Sequence, residues 1–161
     1  MAQEVMSTAL LMIATIIATV ALVNAVFPSI YGTVGSISTV TNTVNDRMKT
    51  DMRIVYETAT VDTPTLTVWI KNTGKVEVAG SSIEYSDVFF GDGTGPLTRA
   101  TYDAGANMWV YEIENDDGDG FWGYGETIKV TITAADNFAA GDHRVRMVLY
   151  NGVYCEDAFT L

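Results

Sequence analysis

No charged side chain occurs between Glu4 and Asp46. The uncharged run reads VMSTALLMIATIIATVALVNAVFPSIYGTVGSISTVTNTVN, residues 5–45. As an α-helix rising about 1.5 Å per residue it makes a rod of roughly 60 Å. About 20 apolar residues suffice to cross a bilayer. The rod is longer than a membrane anchor needs, and its start is too apolar to stand alone in water.

The run has two halves. Residues Val5 to Phe27 are apolar nearly all round, through Leu10, Leu11, Met12, Ile13, Ile16, Ile17, Val20, Leu22, Val23 and Val26. Such a helix must be surrounded by lipid or by other helices. Ala14, Ala18, Ala21 and Ala25 are interleaved, and small residues let helix backbones approach closely. Val5, Leu10, Ile13, Ala14, Ile17, Ala18, Ala21 and Val26 are the expected core-packing positions. Asn24 needs a polar partner if buried. Pro28 lacks a backbone donor and crowds the preceding turn, so a bend is expected there. Beyond it Ile30, Val34, Ile37, Val40, Val44 and Met48 keep three–four spacing among Ser, Thr and Asn, an amphipathic stripe. Ile30, Val34, Ile37 and Val44 are the expected stalk contacts. SISTVTNTV also half-alternates, so a strand over 36–45 competes. The continuation of the stripe through Met48 and Met52 favours a helix held by packing, against poor intrinsic propensity. No basic n-region precedes the run and no cleavage site follows it, so the helix is expected to be retained as a working part.

The reading places a helical segment over 1–53 and one β-domain over 54–161. Residues 54–161 carry 17 acidic against 6 basic side chains, a net of −11. That balance argues against nucleic acid and against an anionic membrane face. Cys155 is the single cysteine, so no intrachain disulfide forms.

After Arg53 the period changes to two. TLTVWIKN is a strand with Leu66, Val68 and Ile70 on one face and Trp69 opposite. Asn72-Thr73-Gly74 supplies a turn. Strands are expected around Val76–Val78 and Ile83–Phe90, with GDGTGP as a loop. Thr98–Tyr102 and Asn107–Ile113 read as a hairpin across 103–106. ETIKVTIT (126–133) alternates cleanly, and 143–150 and 153–161 flank Asn151-Gly152, a strong hairpin signal. Roughly eight short strands with frequent turns predict an antiparallel β-sandwich. The fold class is α+β: one long N-terminal hydrophobic helix, then a sandwich.

No catalytic constellation is present, and no enzyme is expected. His143 and Cys155 stand alone in type, and no GxSxG occurs. One local pattern is sharp: NDDGDGFWGYGE, residues 115–126. Asn115, Asp117, Asp119 and Glu126 fall at positions 1, 3, 5 and 12 of a calcium-loop spacing, with Gly120 at position 6. A solvated acidic turn leading into the ETIKV strand is the competing reading, and otherwise no cofactor is expected. Phe121-Trp122-Gly123-Tyr124 in that loop suits either a subunit contact or local packing.

The apolar helix, the acid near its start and the all-β domain resemble the archaeal type IV pilin-like superfamily. VWIKNTGKVEV (68–78) is similar to the KNTG turn of archaellins and of the FlaF and FlaG type of archaellum proteins. SDVFFGD (86–92), GYGETIKVTI (123–132) and RVRMVLYNGV resemble the FlaG type most. The resemblance covers essentially the whole chain. It implies helices packed into a filament core over Val5–Val26, a stalk over Ile30–Met52, and β-domains turned outward. In pilins an acid at position five guides insertion; the nearest acid here is Glu4. The implied partners are copies of the chain in a helical filament, other archaellum components, the surface layer, and a membrane before assembly. The implied location is an extracellular filament on the archaeal cell surface. The first reading is therefore a structural filament subunit for motility. The second is a minor FlaG-like stator anchored by the same helix, with its sandwich on the surface layer. The third is an enzyme or calcium-dependent binding module on a membrane stalk, for which only 115–126 speaks.

Overall fold

The computed structural model describes residues 2–161. One helix, α1, spans Ala2–Lys49 and continues through Pro28 without interruption. The competing strand over 36–45 does not form. Every α1 residue is exposed. Its hydroxyls fold back onto its own backbone: those of Thr8, Thr19, Thr33, Ser36, Thr39 and Thr43 each donate to the carbonyl four residues earlier, and that of Thr15 to Met12. The polar half of the helix thus offers neighbours fewer unsatisfied donors than its sequence suggests.

The chain divides into two compact units, with the boundary after Val44. The last residues of α1, from Asn45, group with the sheet unit. That unit holds ten strands: β1 (Met52–Ala59), β2 (Thr65–Asn72), β3 (Val78–Ala79), β4 (Asp87–Asp92), β5 (Thr98–Tyr102), β6 (Met108–Ile113), β7 (Phe121–Trp122), β8 (Thr127–Thr133), β9 (Asp142–Val148) and β10 (Tyr154–Thr160). Eight follow one another by hydrogen bonds in the order β1-β2-β8-β6-β5-β4-β9-β10, and β3 pairs with β7. The outer strands β1 and β10 lie against one another, so the two halves face each other across the core.

The alternating strands behave as their sequences demand. Leu66, Val68 and Ile70 point inward on β2, and Ile128, Val130 and Ile132 do so on β8. They meet in register as Leu66–Ile132, Val68–Val130 and Ile70–Ile128. From the other half come Val88, Phe90, Val145 and Met147, and Trp109 and Trp122 fill the space between. Burial of this kind contributes about 25 cal/mol per Å² of apolar surface, and these cross-strand pairs fix the register.

One expectation is shifted and one fails. The two strands expected around Val76–Val78 and Ile83–Phe90 form as β3 and β4, the second beginning only at Asp87. After the two-residue β3 the chain makes one helical turn, α2 (Gly80–Ile83), which drops Ile83 into the core. The Tyr111 hydroxyl donates to the Gly80 carbonyl at 2.9 Å and fixes that turn. Residues 98–113 are not a hairpin. Strands β5 and β6 pair in parallel, Thr101 with Met108 and Tyr102 with Trp109. Asp103 (φ 46°) and Gly105 (φ 89°) carry the chain through left-handed backbone between them. β5 leaves β4 and β6 joins β8, so this short loop moves the chain from one half of the sandwich to the other.

Candidate assembly helix, its joint and the acidic loop

Val5, Leu10, Ile13, Ala14, Ile17, Ala18, Ala21 and Val26 all lie on α1 and are all exposed within the chain. At about 100° per residue they surround the helix rather than mark one face. Ile30, Val34, Ile37 and Val44 are exposed as well. The helix is long and apolar enough to cross a membrane. Among the described residues nothing covers it, so its apolar surface is satisfied only by lipid or by another protein surface.

The KNTG turn is a joint. Asn72 is buried, and each polar atom of its side chain is used. Its Nδ2 donates to the carbonyls of Val76 (2.9 Å) and Trp122 (2.8 Å), and its Oδ1 accepts from the Gly74 amide (2.9 Å). Its backbone is tied to Glu126 and Gly125. The amides of Thr73 and Gly74 both donate to the Asp51 carbonyl, and that of Lys75 to the Lys49 carbonyl at 2.7 Å. A Cβ on Gly74 would overlap the Asp51 nitrogen and the Lys49 carbonyl oxygen, both backbone. Asn151 completes the joint by donating to the Thr50 hydroxyl at 3.0 Å. Only glycine at 74 lets the chain leaving α1 lie directly on the turn. Sequence reasoning saw a turn here and missed the joint, whose second half lies some twenty residues earlier.

The acidic loop uses most of its oxygens on itself. Asn115 Oδ1 accepts from the Thr127 amide at 2.7 Å. The Glu126 carboxylate accepts from the amides of Gly123 (2.6 Å) and Asp117 (3.2 Å). Asp116, Asp117 and Asp119 bring carboxylate oxygens within 4.8 Å of one another, all exposed. Asp119 also accepts from the Phe121 amide. The structure thus gathers Asp117 and Asp119 with Asp116, while Asn115 ties the loop to the start of β8 and Glu126 clasps the amides of Asp117 and Gly123 within it. Trp122 is fully buried, its indole N–H on the Glu126 carbonyl at 3.0 Å, whereas Phe121 and Tyr124 are exposed. Local packing claims the tryptophan and leaves the other two rings at the surface.

Cys155 lies on β10 facing inward, and burial pushes its thiol up to about 12. A thiol so shielded is no nucleophile.

A model of the archaeal-type flagellin family matches residues 2–159, which takes in both the apolar helix and the sheet unit. The chain belongs to the archaeal-type flagellin family. An uncharacterised protein of Archaeoglobus fulgidus is 35% identical over 164 residues, covering 99% of each chain. Among solved structures, the archaellum periplasmic stator protein FlaG of Sulfolobus acidocaldarius matches with a TM-score of 0.57 at 21% identity. The match covers 68% of this chain and 99% of that one. FlaG in complex with FlaF from the same organism matches at 0.56 and 21%, covering 67% and 87%. At this identity the likeness to FlaG is one of fold. As a family member the chain is an archaellum-related protein, and the KNTG joint and the apolar helix are the parts of the sequence that first resembled the family.

Proposed function

We propose that this chain is a structural subunit of an archaellum filament used for motility, polymerising through α1. The observation that carries the reading is the contrast in burial: the sheet unit closes its own core, while every side chain of α1 stays exposed. Burying apolar surface among copies gains about 25 cal/mol per Å², applied along a rod of about 60 Å. Family membership supports the reading. The work is mechanical, without a bond made or broken. In this reading the helix sits in a membrane before assembly. The sheet units then face outward from the cell surface, where other archaellum components and the surface layer are the partners. Electron microscopy of native preparations tests it. Fibres built of this chain support the proposal; a chain found only as a detergent-bound monomer sinks it.

A second reading has its own support, the fold likeness to the periplasmic stator FlaG and to its complex with FlaF. Here the same helix anchors the chain singly and the sheet unit meets the surface layer. Cell fractionation separates the two. A filament subunit dominates sheared fibres, and a stator stays with the membrane.

A further inference from the structure

This inference rests on the filament reading and names the contact that sets its register. Pro28 sits inside α1 and has no N–H to give. In an α-helix the N–H of residue 28 serves the carbonyl of residue 24. The Asn24 carbonyl therefore lacks its helical donor. The hydroxyls that fold back along α1 reach the carbonyls of Glu4, Met12, Thr15, Ser29, Gly32, Gly35 and Thr39, and none reaches Asn24. The same residue carries an amide with two N–H donors. That amide is exposed among Val20, Val23 and Phe27.

One residue thus joins an acceptor without its usual donor to a pair of donors, in the most apolar part of the chain. Lipid tails answer neither. Neighbouring copies answer both, one accepting from the amide and another donating to the carbonyl. We propose that the Asn24 amide of one copy donates to the Asn24 carbonyl of its neighbour and so pins the axial register of the packed helices. Ala21 and Ala25 on either side let the two backbones come close enough. Helix side chains tilt toward the N-terminus while carbonyls point toward the C-terminus. Donor and acceptor of one residue are therefore separated along the axis, by on the order of one turn of about 5 Å. Between helices packed in parallel, as the filament reading has them, the neighbour must be displaced along the axis to make the bond. Such a contact is heterologous, and when repeated it runs on as a fibre instead of closing as a two-fold dimer. A lone asparagine in an apolar coiled-coil seam sets register in the same way.

The test uses the full chain in mild detergent and then in detergent-free buffer, with Asn24→Leu, Pro28→Ala and the double variant. The readouts are fibre yield by pelleting and axial repeat by electron microscopy, with the thermal melt of the sheet unit as a control for folding. Asn24→Leu is expected to lower fibre yield roughly tenfold or to blur the axial repeat, the size of one buried hydrogen bond. Pro28→Ala gives the carbonyl back its own donor, so Asn24→Leu on that background is expected to cost little more, a non-additive cycle. Asn24→Leu fibres of unchanged yield and repeat overturn the pin and leave the filament reading standing. Wild-type chain that forms no fibres overturns both.

Discussion

The helix and the sheet unit handle their apolar residues in opposite ways. The sheet unit hides Leu66, Ile70, Trp109, Trp122 and Ile132 from water within one chain. The helix leaves Leu10, Ile13, Ile17 and Val34 in the open. The first has a core in the ordinary sense, and its stability is internal. The second has a surface whose stabilisation is deferred until something else covers it. The difference teaches where a substitution will be felt: in the melting of the sheet unit or in association, but not in both.

The largest expected effect is on association. Ala18→Asp places a charge on the apolar half of α1, with no partner if the helix is buried, and should abolish polymer formation. The melt of the sheet unit should stay where it was, since α1 up to Val44 forms a separate unit. A parallel drop in both would break the comparison.

Gly74→Ala should do the reverse. Its Cβ meets backbone atoms of Asp51 and Lys49 that cannot move aside. An overpacked site of this kind costs up to about 3 kcal/mol. Denaturant unfolding of the sheet unit measures it, and an unchanged midpoint would show that the joint relaxes freely.

A smaller effect comes from Cys155. Burial raises its thiol from 9.0 to about 12, so the folded state favours the neutral form. The stability this contributes is complete below about pH 9 and is lost as the pH climbs toward 12. Unfolding midpoints across that window check the sign, and iodoacetamide should label Cys155 only in denaturant.

The smallest expected effect concerns 115–126. Because Asn115 and Glu126 already serve backbone amides, calcium against chelator should leave the melting temperature of the sheet unit where it was. A calcium-dependent rise would return those oxygens to an ion.

How much was legible follows from range. The charge-free run gave α1, and strict alternation gave β2, β8 and the β9–β10 hairpin, because those signals lie in consecutive residues. The family, too, was legible from VWIKNTGKVEV and the helix before it. Not legible was anything decided between distant segments. The parallel pairing of β5 with β6 depends on which half of the sandwich each strand joins. Trp122 belongs to the core because Asn72, fifty residues earlier, holds its carbonyl.

By itself the sequence determined that 5–45 has no business in water and that 54–161 can close a core, since hydrophobic periodicity is written residue by residue. Only the tertiary structure decided that KNTG is the seat of the chain leaving the helix, and that Gly74 must lack a side chain. That constraint comes from two backbones lying in contact, and such contact exists only once the chain has folded back on itself.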